Sequence, residues 1–115
     1  MFEYRATIVR VIDGDTVVAD IDLGMNVWRR NEPLRLYGVN APEVVGADKA
    51  AGLAAKDWLV SIFEGKRVTI RTQKDKTEKY GRWLAVIDLE GVNINAAIIA
   101  VGLAKAADAS GKTLP

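Results

Sequence analysis

The sequence predicts an α+β domain that is mainly β. It is a five-stranded barrel with a long helix between strands three and four and a short helix near the C-terminus. Three observations carry this. β-branched, apolar runs punctuated by Gly and Asp fill the first third of the chain. One uninterrupted helical stripe follows. Two more β-rich runs and a short apolar segment complete the order.

Thr7 to Ile12 is apolar and β-branched and reads as the first strand. Asp13-Gly14-Asp15 is turn chemistry, because Gly accepts positive φ and Asp caps its own turn. Thr16 to Leu23 alternates as the second strand, and Gly24-Met25-Asn26 breaks it. The third strand runs over Val27–Arg30 and Leu34–Val39, interrupted near Asn31-Glu32-Pro33. Alternation puts Leu34 and Leu36 on one face and Arg35 on the other. Ala47, Ala50, Ala51, Ala54, Ala55, Trp58, Leu59, Ile62 and Phe63 keep helical spacing, and Gly65 is the stop. The alanine-rich first half implies close approach to a partner surface, and the bulky second half plugs a core. Strands follow at Arg67–Gln73 and Trp83–Leu89, joined by a polar loop from Lys74 to Gly81. Asn93 or Asn95 caps a helix from about Ala96 to Val101, stopped by Gly102. This is the order of an OB-fold barrel. Residues 1–107 form one domain, and 108–115 read as a weakly ordered tail.

A chain of 115 residues with half its residues apolar has room for one core and one site. It has no cysteine, which excludes disulfides, thiol nucleophiles, zinc fingers and iron–sulfur clusters. It also has no histidine, which excludes the commonest general base and transition-metal ligand. Catalysis must then use carboxylates, Lys, Arg, Tyr or hydroxyls, and any metal must be a hard, oxygen-liking ion. The net charge is only +1, yet residues 66–82 carry seven basic side chains against two acidic ones. One basic side on a nearly neutral protein suits a polyanion, whereas the plainer reading is a solvated loop. The start, Met1-Phe2-Glu3-Tyr4-Arg5, lacks the layout of a secretory leader, and the apolar stretch from Ile94 to Ala104 is too short to span a bilayer. A cytoplasmic protein is the default expectation, with no membrane partner. A secreted mature form stays open.

Three segments concentrate charged groups at strand ends and loops, where sites gather: Ile12-Asp13-Gly14-Asp15-Thr16, Arg35 to Glu43, and Glu78-Lys79-Tyr80-Gly81-Arg82. Together they supply oxygen ligands, a spare carboxylate and two arginines. In this order, D-G-D-T, then R-x-x-x-x-N-A-P-E, then K-Y-G-R, the chain resembles the staphylococcal nuclease (thermonuclease) family from about Thr7 to Lys105. That resemblance implies an OB barrel and calcium-dependent hydrolysis of phosphodiesters in DNA or RNA with little sequence preference, leaving a 3′-phosphate. It implies that Asp15, Asn40 and the carbonyl of Ala41 bind Ca²⁺. Glu43 matches the general base for the attacking water. Arg35 and Arg82 match the two arginines on the scissile phosphate. Lys79 and Tyr80 match contacts to a neighbouring phosphate.

The residue types suit the chemistry. Phosphodiester hydrolysis gathers charge on the non-bridging oxygens, which a cation and planar guanidinium forks neutralise. With no histidine, a carboxylate beside a cation is the remaining base. Three departures from the family stand out. Asn40 replaces a carboxylate with a neutral oxygen, so calcium should bind more weakly. Asp108 and Ser110 stand where the family has two stacking tyrosines. The segment 96–104 is apolar nearly all round, so Ile99 and Val101 should be partly exposed and offer a surface for weak self-association, unless the tail folds over them. The rival to an enzyme is a non-catalytic nucleic-acid- or protein-binding module on the same barrel.

Overall fold

In a computed structural model of the chain, residues 2–74, 82–108 and 112–114 are described. Strand β1 (Phe2–Asp13) turns at Gly14-Asp15 into β2 (Thr16–Asp22). β3 spans Trp28–Leu36, and the two-residue β4 spans Val39–Asn40. A short 3₁₀ turn at Gly46–Asp48 leads into α1 (Lys49–Phe63). β5 (Arg67–Lys74), β6 (Trp83–Leu89), β7 (Val92–Asn93), α2 (Ile94–Ala100) and β8 (Lys105–Ala106) complete the order.

The large sheet runs β3-β2-β1-β5-β6-β7, and β3 also pairs with β6 in parallel. That extra pairing closes β1, β2, β3, β5 and β6 into the predicted five-stranded barrel. β4 pairs antiparallel with β8 outside the barrel. Side chains alternate inward along the strands, so Ile8, Leu34, Leu36, Ile70 and Ile87 are fully buried. Leu59 and Phe63 of α1 and Ile98 of α2 join the same core. Each such apolar side chain contributes about 1.5–3 kcal/mol by leaving water.

Turn and cap chemistry settle the ends. Gly65 follows α1 at φ 80° and donates its N–H to the Ile8 carbonyl at 2.7 Å. Of the two candidate caps, Asn93 serves: its side chain accepts the Ala96 N–H at 3.0 Å. Asn95 instead is buried. It accepts the Ile87 N–H and donates to the Tyr37 and Ala85 carbonyls, tying the end of β3 to β6.

Three expectations are corrected. β1 starts at Phe2 rather than Thr7, because the segment Phe2–Thr7 finds a partner in β5, with Phe2 opposite Thr72 and Thr7 opposite Arg67. β3 is continuous through Asn31-Glu32-Pro33: the Asp20 carboxylate takes the Asn31 N–H at 2.9 Å and the Arg30 guanidinium at 3.0 Å. On α1 the buried seam is Gly52, Ala55, Leu59 and Phe63, while Ala47, Ala50, Ala51 and Ala54 face solvent. Alanine carries too little apolar area to decide which way a helix turns. Ile99 of α2 is half-buried and Val101, which follows the helix, is 53% exposed, as expected. Among the described residues, no helix is long and apolar enough to cross a membrane.

Candidate active site

A cavity of about 270 Å³ opens where the β1–β2 turn, the end of β3, the segment after β4 and the start of β6 meet. Asp15, Arg35, Asn40, Ala41, Glu43 and Arg82 all line it. Lys79 and Tyr80 lie outside the described residues. The barrel explains the convergence. Thr16 of β2 is opposite Arg35 of β3, and β3 pairs Arg35 with Leu84 of β6. Arg35 therefore has the Asp15 turn on one side and the β6 strand that follows Arg82 on the other.

Asp15 is buried to 7% exposure, and its carboxylate is held on both oxygens. Oδ2 accepts the Ala41 N–H at 3.0 Å, and Oδ1 accepts the Thr16 hydroxyl at 3.2 Å. The Asp15 carbonyl also accepts the Leu36 N–H at 2.8 Å. The turn is thus fixed to both β3 and the Ala41 segment. Arg35 lies 3.8 Å from Asp15 Oδ2 and donates to the Val39 carbonyl at 3.4 Å. Both are long contacts through one nitrogen of a five-donor fork, which leaves donors for an anion in the cavity.

Asp13 lines the same cavity, and its N-terminal position in the turn puts its Oδ1 3.0 Å from the Asp15 N–H. Partial burial, and after it the neighbouring Asp15 carboxylate, push the Asp13 pKa from 3.8 up to about 6. A cation beside Asp13 would offset both the burial of its charge and its repulsion from Asp15. Asp15, Asn40 and Ala41 offer only oxygen donors, which fits a hard ion. Among the described residues, no group of three or more Asp, Glu, His or Cys side chains gathers to hold a metal. Asn40 also donates Nδ2–H to the Thr113 hydroxyl at 2.6 Å, so the returning tail holds one end of its carboxamide.

Glu43 is exposed, at the lip of the cavity. Its backbone is placed by a contact that the sequence reading missed. A methyl group on Gly52 would overlap the Glu43 carbonyl and come 2.8 Å from the Val44 nitrogen. Gly52 is therefore the seat on which the Glu43 segment rests. Three residues along the same face, Ala55 packs against Gly14: a methyl group on Gly14 would lie 2.7 Å from the Cβ atoms of both Ala55 and Ala41. Both glycines are the smallest residue type on an otherwise alanine-rich surface, and that composition was the available signal.

Residues 33–114 match the family described as staphylococcal nuclease homologue. The chain belongs to this family. A thermonuclease of Staphylococcus intermedius is 34% identical over 100 residues, covering 84% of this chain and 56% of that protein. A thermonuclease of Staphylococcus hyicus is 31% identical over 107 residues, covering 90% and 60%. Endonuclease YhcR of Bacillus subtilis is 30% identical over 112 residues, 89% of this chain but 9% of that much longer protein. The chain thus spans under two thirds of the thermonucleases it matches. The match takes in the Arg35–Glu43 and Lys79–Arg82 motifs and α1.

Proposed function

We propose that this staphylococcal nuclease homologue domain hydrolyses phosphodiester bonds of DNA or RNA with Ca²⁺ as cofactor. The observation that supports this most is the single cavity lined by a fixed carboxylate, a second carboxylate at the lip and two arginines. An interaction surface for nucleic acid needs cations and aromatic rings but has no use for Glu43 beside the Asp13–Asp15 turn.

In this reading Asp15, the Asn40 carboxamide and the Ala41 carbonyl hold the ion. Once bound, it supplies positive charge that acidifies nearby water and screens the phosphate. The Arg35 and Arg82 guanidinium groups grip the non-bridging oxygens and favour the more highly charged transition state. In phosphoryl transfer one such arginine is worth roughly 10³–10⁵ in rate. Glu43 takes a proton from the attacking water, a contribution of about 10²–10⁴. The water oxygen bonds to phosphorus, the ester oxygen opposite it leaves, and that oxygen picks up a proton from solvent. Contacts to phosphate rather than to base edges give little sequence preference.

Digestion of single-stranded DNA and RNA with Ca²⁺, with Mg²⁺ and with chelator tests this. Ca²⁺ should support cleavage and chelation should abolish it. Glu43→Gln should lower kcat by about 10²–10⁴ with the fold intact by circular dichroism. Arg82→Ala should fall comparably. A Glu43→Gln protein as active as wild type removes Glu43 from the chemistry. Tight binding with no cleavage by wild type overturns the enzyme reading altogether.

A further inference from the structure

The chain turns back after β8 and brings Thr113 to the candidate site. β8 pairs with β4, with Val39 opposite Ala106 and Asn40 opposite Lys105, and the Ala107 N–H donates to the Gly38 carbonyl at 2.9 Å. Residues 112–114 pair with β8 in turn. Thr113 is opposite Ala107, and the Leu114 N–H donates to the Ala106 carbonyl at 2.9 Å. Asp108 ties the reversal together: its N–H donates to the Lys112 carbonyl and its Oδ1 accepts the Lys112 N–H, both at 2.9 Å. Main-chain bonds at both neighbours of Thr113 therefore fix where its side chain stands.

Two observations give that side chain a role. The first is position. Asn40 lines the candidate site and also a larger hollow of about 440 Å³ beside it, whereas Thr113 lines only the larger one. The Asn40 carboxamide thus stands in a shared wall, with its nitrogen end bonded to Thr113 Oγ at 2.6 Å. Among the described residues, Thr113 is the one side chain bonded to that carboxamide. The second is chemistry. A carboxamide has two unlike ends: its oxygen can bind a cation, and its NH₂ group presents only donors. A carboxylate has two equal oxygens and faces no such choice. With asparagine at this position, something must decide which end meets the ion.

We infer that Thr113 is a positioning residue of the cation site: by accepting Nδ2–H it turns the Asn40 Oδ1 towards the ion. This rests on the reading of Asn40 as a Ca²⁺ ligand. A cation attracts the amide oxygen and repels the NH₂ donors. Thr113 gives those donors an acceptor outside the cavity, so the ligand orientation leaves no donor unsatisfied. Without the hydroxyl, the NH₂ end is released towards the Asp13 and Asp15 carboxylates that line the same cavity, and the amide must turn back before the ion binds. Removing a partner that orients a metal ligand costs about 10- to 100-fold in affinity. The Asn40–Thr113 bond is exposed, so water replaces part of it and the low end applies.

The test is cation binding with no substrate present, read by terbium luminescence and by Ca²⁺ displacing the terbium. Thr113→Val removes the hydroxyl and keeps a branched side chain that suits the pairing with Ala107. It should weaken binding about tenfold. Thr113→Ser keeps the hydroxyl and should restore most of the affinity. In an Asn40→Asp background both ends of the side chain are oxygens, and Thr113→Val should lose most of its effect. An equal loss in the two backgrounds would show Thr113 acting through the tail rather than the amide, and would overturn the inference. Unchanged affinity in Thr113→Val overturns it as well. The cation-free protein gives a second reading. The Asn40 side-chain amide protons, assigned by their loss in Asn40→Asp, should exchange with water faster in Thr113→Val than in wild type. Equal exchange means that the hydroxyl does not hold the amide, and the inference fails. Asn40→Ala separates these outcomes from the cofactor reading. If it binds cations as wild type does, Asn40 is no ligand, and the ligand set and the inference fall together. If it binds more weakly while Thr113→Val does not, the inference alone falls.

Discussion

The two halves of α1 touch different things. The C-terminal half sends Leu59 and Phe63, both fully buried, into the barrel core. The N-terminal half buries only Gly52 and Ala55, and these touch the Glu43 segment and the Asp15 turn. One helix therefore joins a load of apolar area to a plate of small residues. The difference teaches that size decides the role. Large side chains hold the helix on the barrel, and missing side chains let the backbone of the candidate site approach it. Stability and activity should then separate along a single element.

Phe63→Ala is the strongest challenge to that separation. Removing a fully buried phenylalanine costs about 3–5 kcal/mol, a large share of the 5–15 kcal/mol that holds a domain of this size. The urea midpoint should drop sharply. The cleavage rate per folded molecule, measured well below the midpoint, should stay near wild type. An equal fall in that rate would mean that the core half also sets the site.

Gly52→Ala tests the other half, with a smaller effect of the opposite kind. Alanine favours a helix over glycine by about 1 kcal/mol, and this offsets part of the cost of pushing the Glu43 segment outward. The overlap is with main-chain atoms, so stability should still fall, though by less than in Phe63→Ala. The displaced Glu43 should lower kcat by about 10- to 100-fold, since misplacing a reacting group by an ångström costs this much. Half-saturation by calcium should hold, because the Asp15 turn meets the helix through Gly14 at Ala55 instead. Full activity in Gly52→Ala would show that the Glu43 side chain reaches its position from a range of backbones.

Much of this arrangement was legible in the sequence where chemistry is local. The Asp13 cap on its own turn, the stops at Gly65 and Gly102 and a cap at Asn93 or Asn95 each follow from the φ preference or hydrogen bonding of one or two residues, whereas Gly14 takes no positive φ and is small because Ala41 and Ala55 crowd it. The close approach of the alanine-rich half of α1 was also readable. Its angle was not: a run of alanines looks alike from every side, so the seat at Gly52 emerges only when the helix meets the Glu43 carbonyl. Long-range pairing was hidden for a similar reason. Nothing near Arg35 announces Arg82; the two reach one cavity because β3 closes against β6. The extension of β1 to Phe2 likewise depends on β5, a partner far along the chain.

Asn40 carries the smallest expected effect and bears on the proposed ligand set. Its amide donates to Thr113 at 2.6 Å, and an aspartate there would accept from the same hydroxyl, so the exchange keeps the local geometry. What changes is charge. Asn40→Asp adds a fourth carboxylate to the cavity that Asp13, Asp15 and Glu43 line. Without metal this sharpens the repulsion already felt at Asp13, so the apo protein should melt slightly lower. With calcium the same charge becomes attraction. The concentration for half-maximal cleavage should fall about three- to tenfold, and terbium luminescence should report tighter binding to the same extent. Opposite signs for the two states are the signature of a ligand, because a residue that only shaped the loop would move both the same way. Identical calcium dependence in the two proteins would take Asn40 out of the ligand set and leave the Asp15 turn and the Ala41 carbonyl to hold the ion.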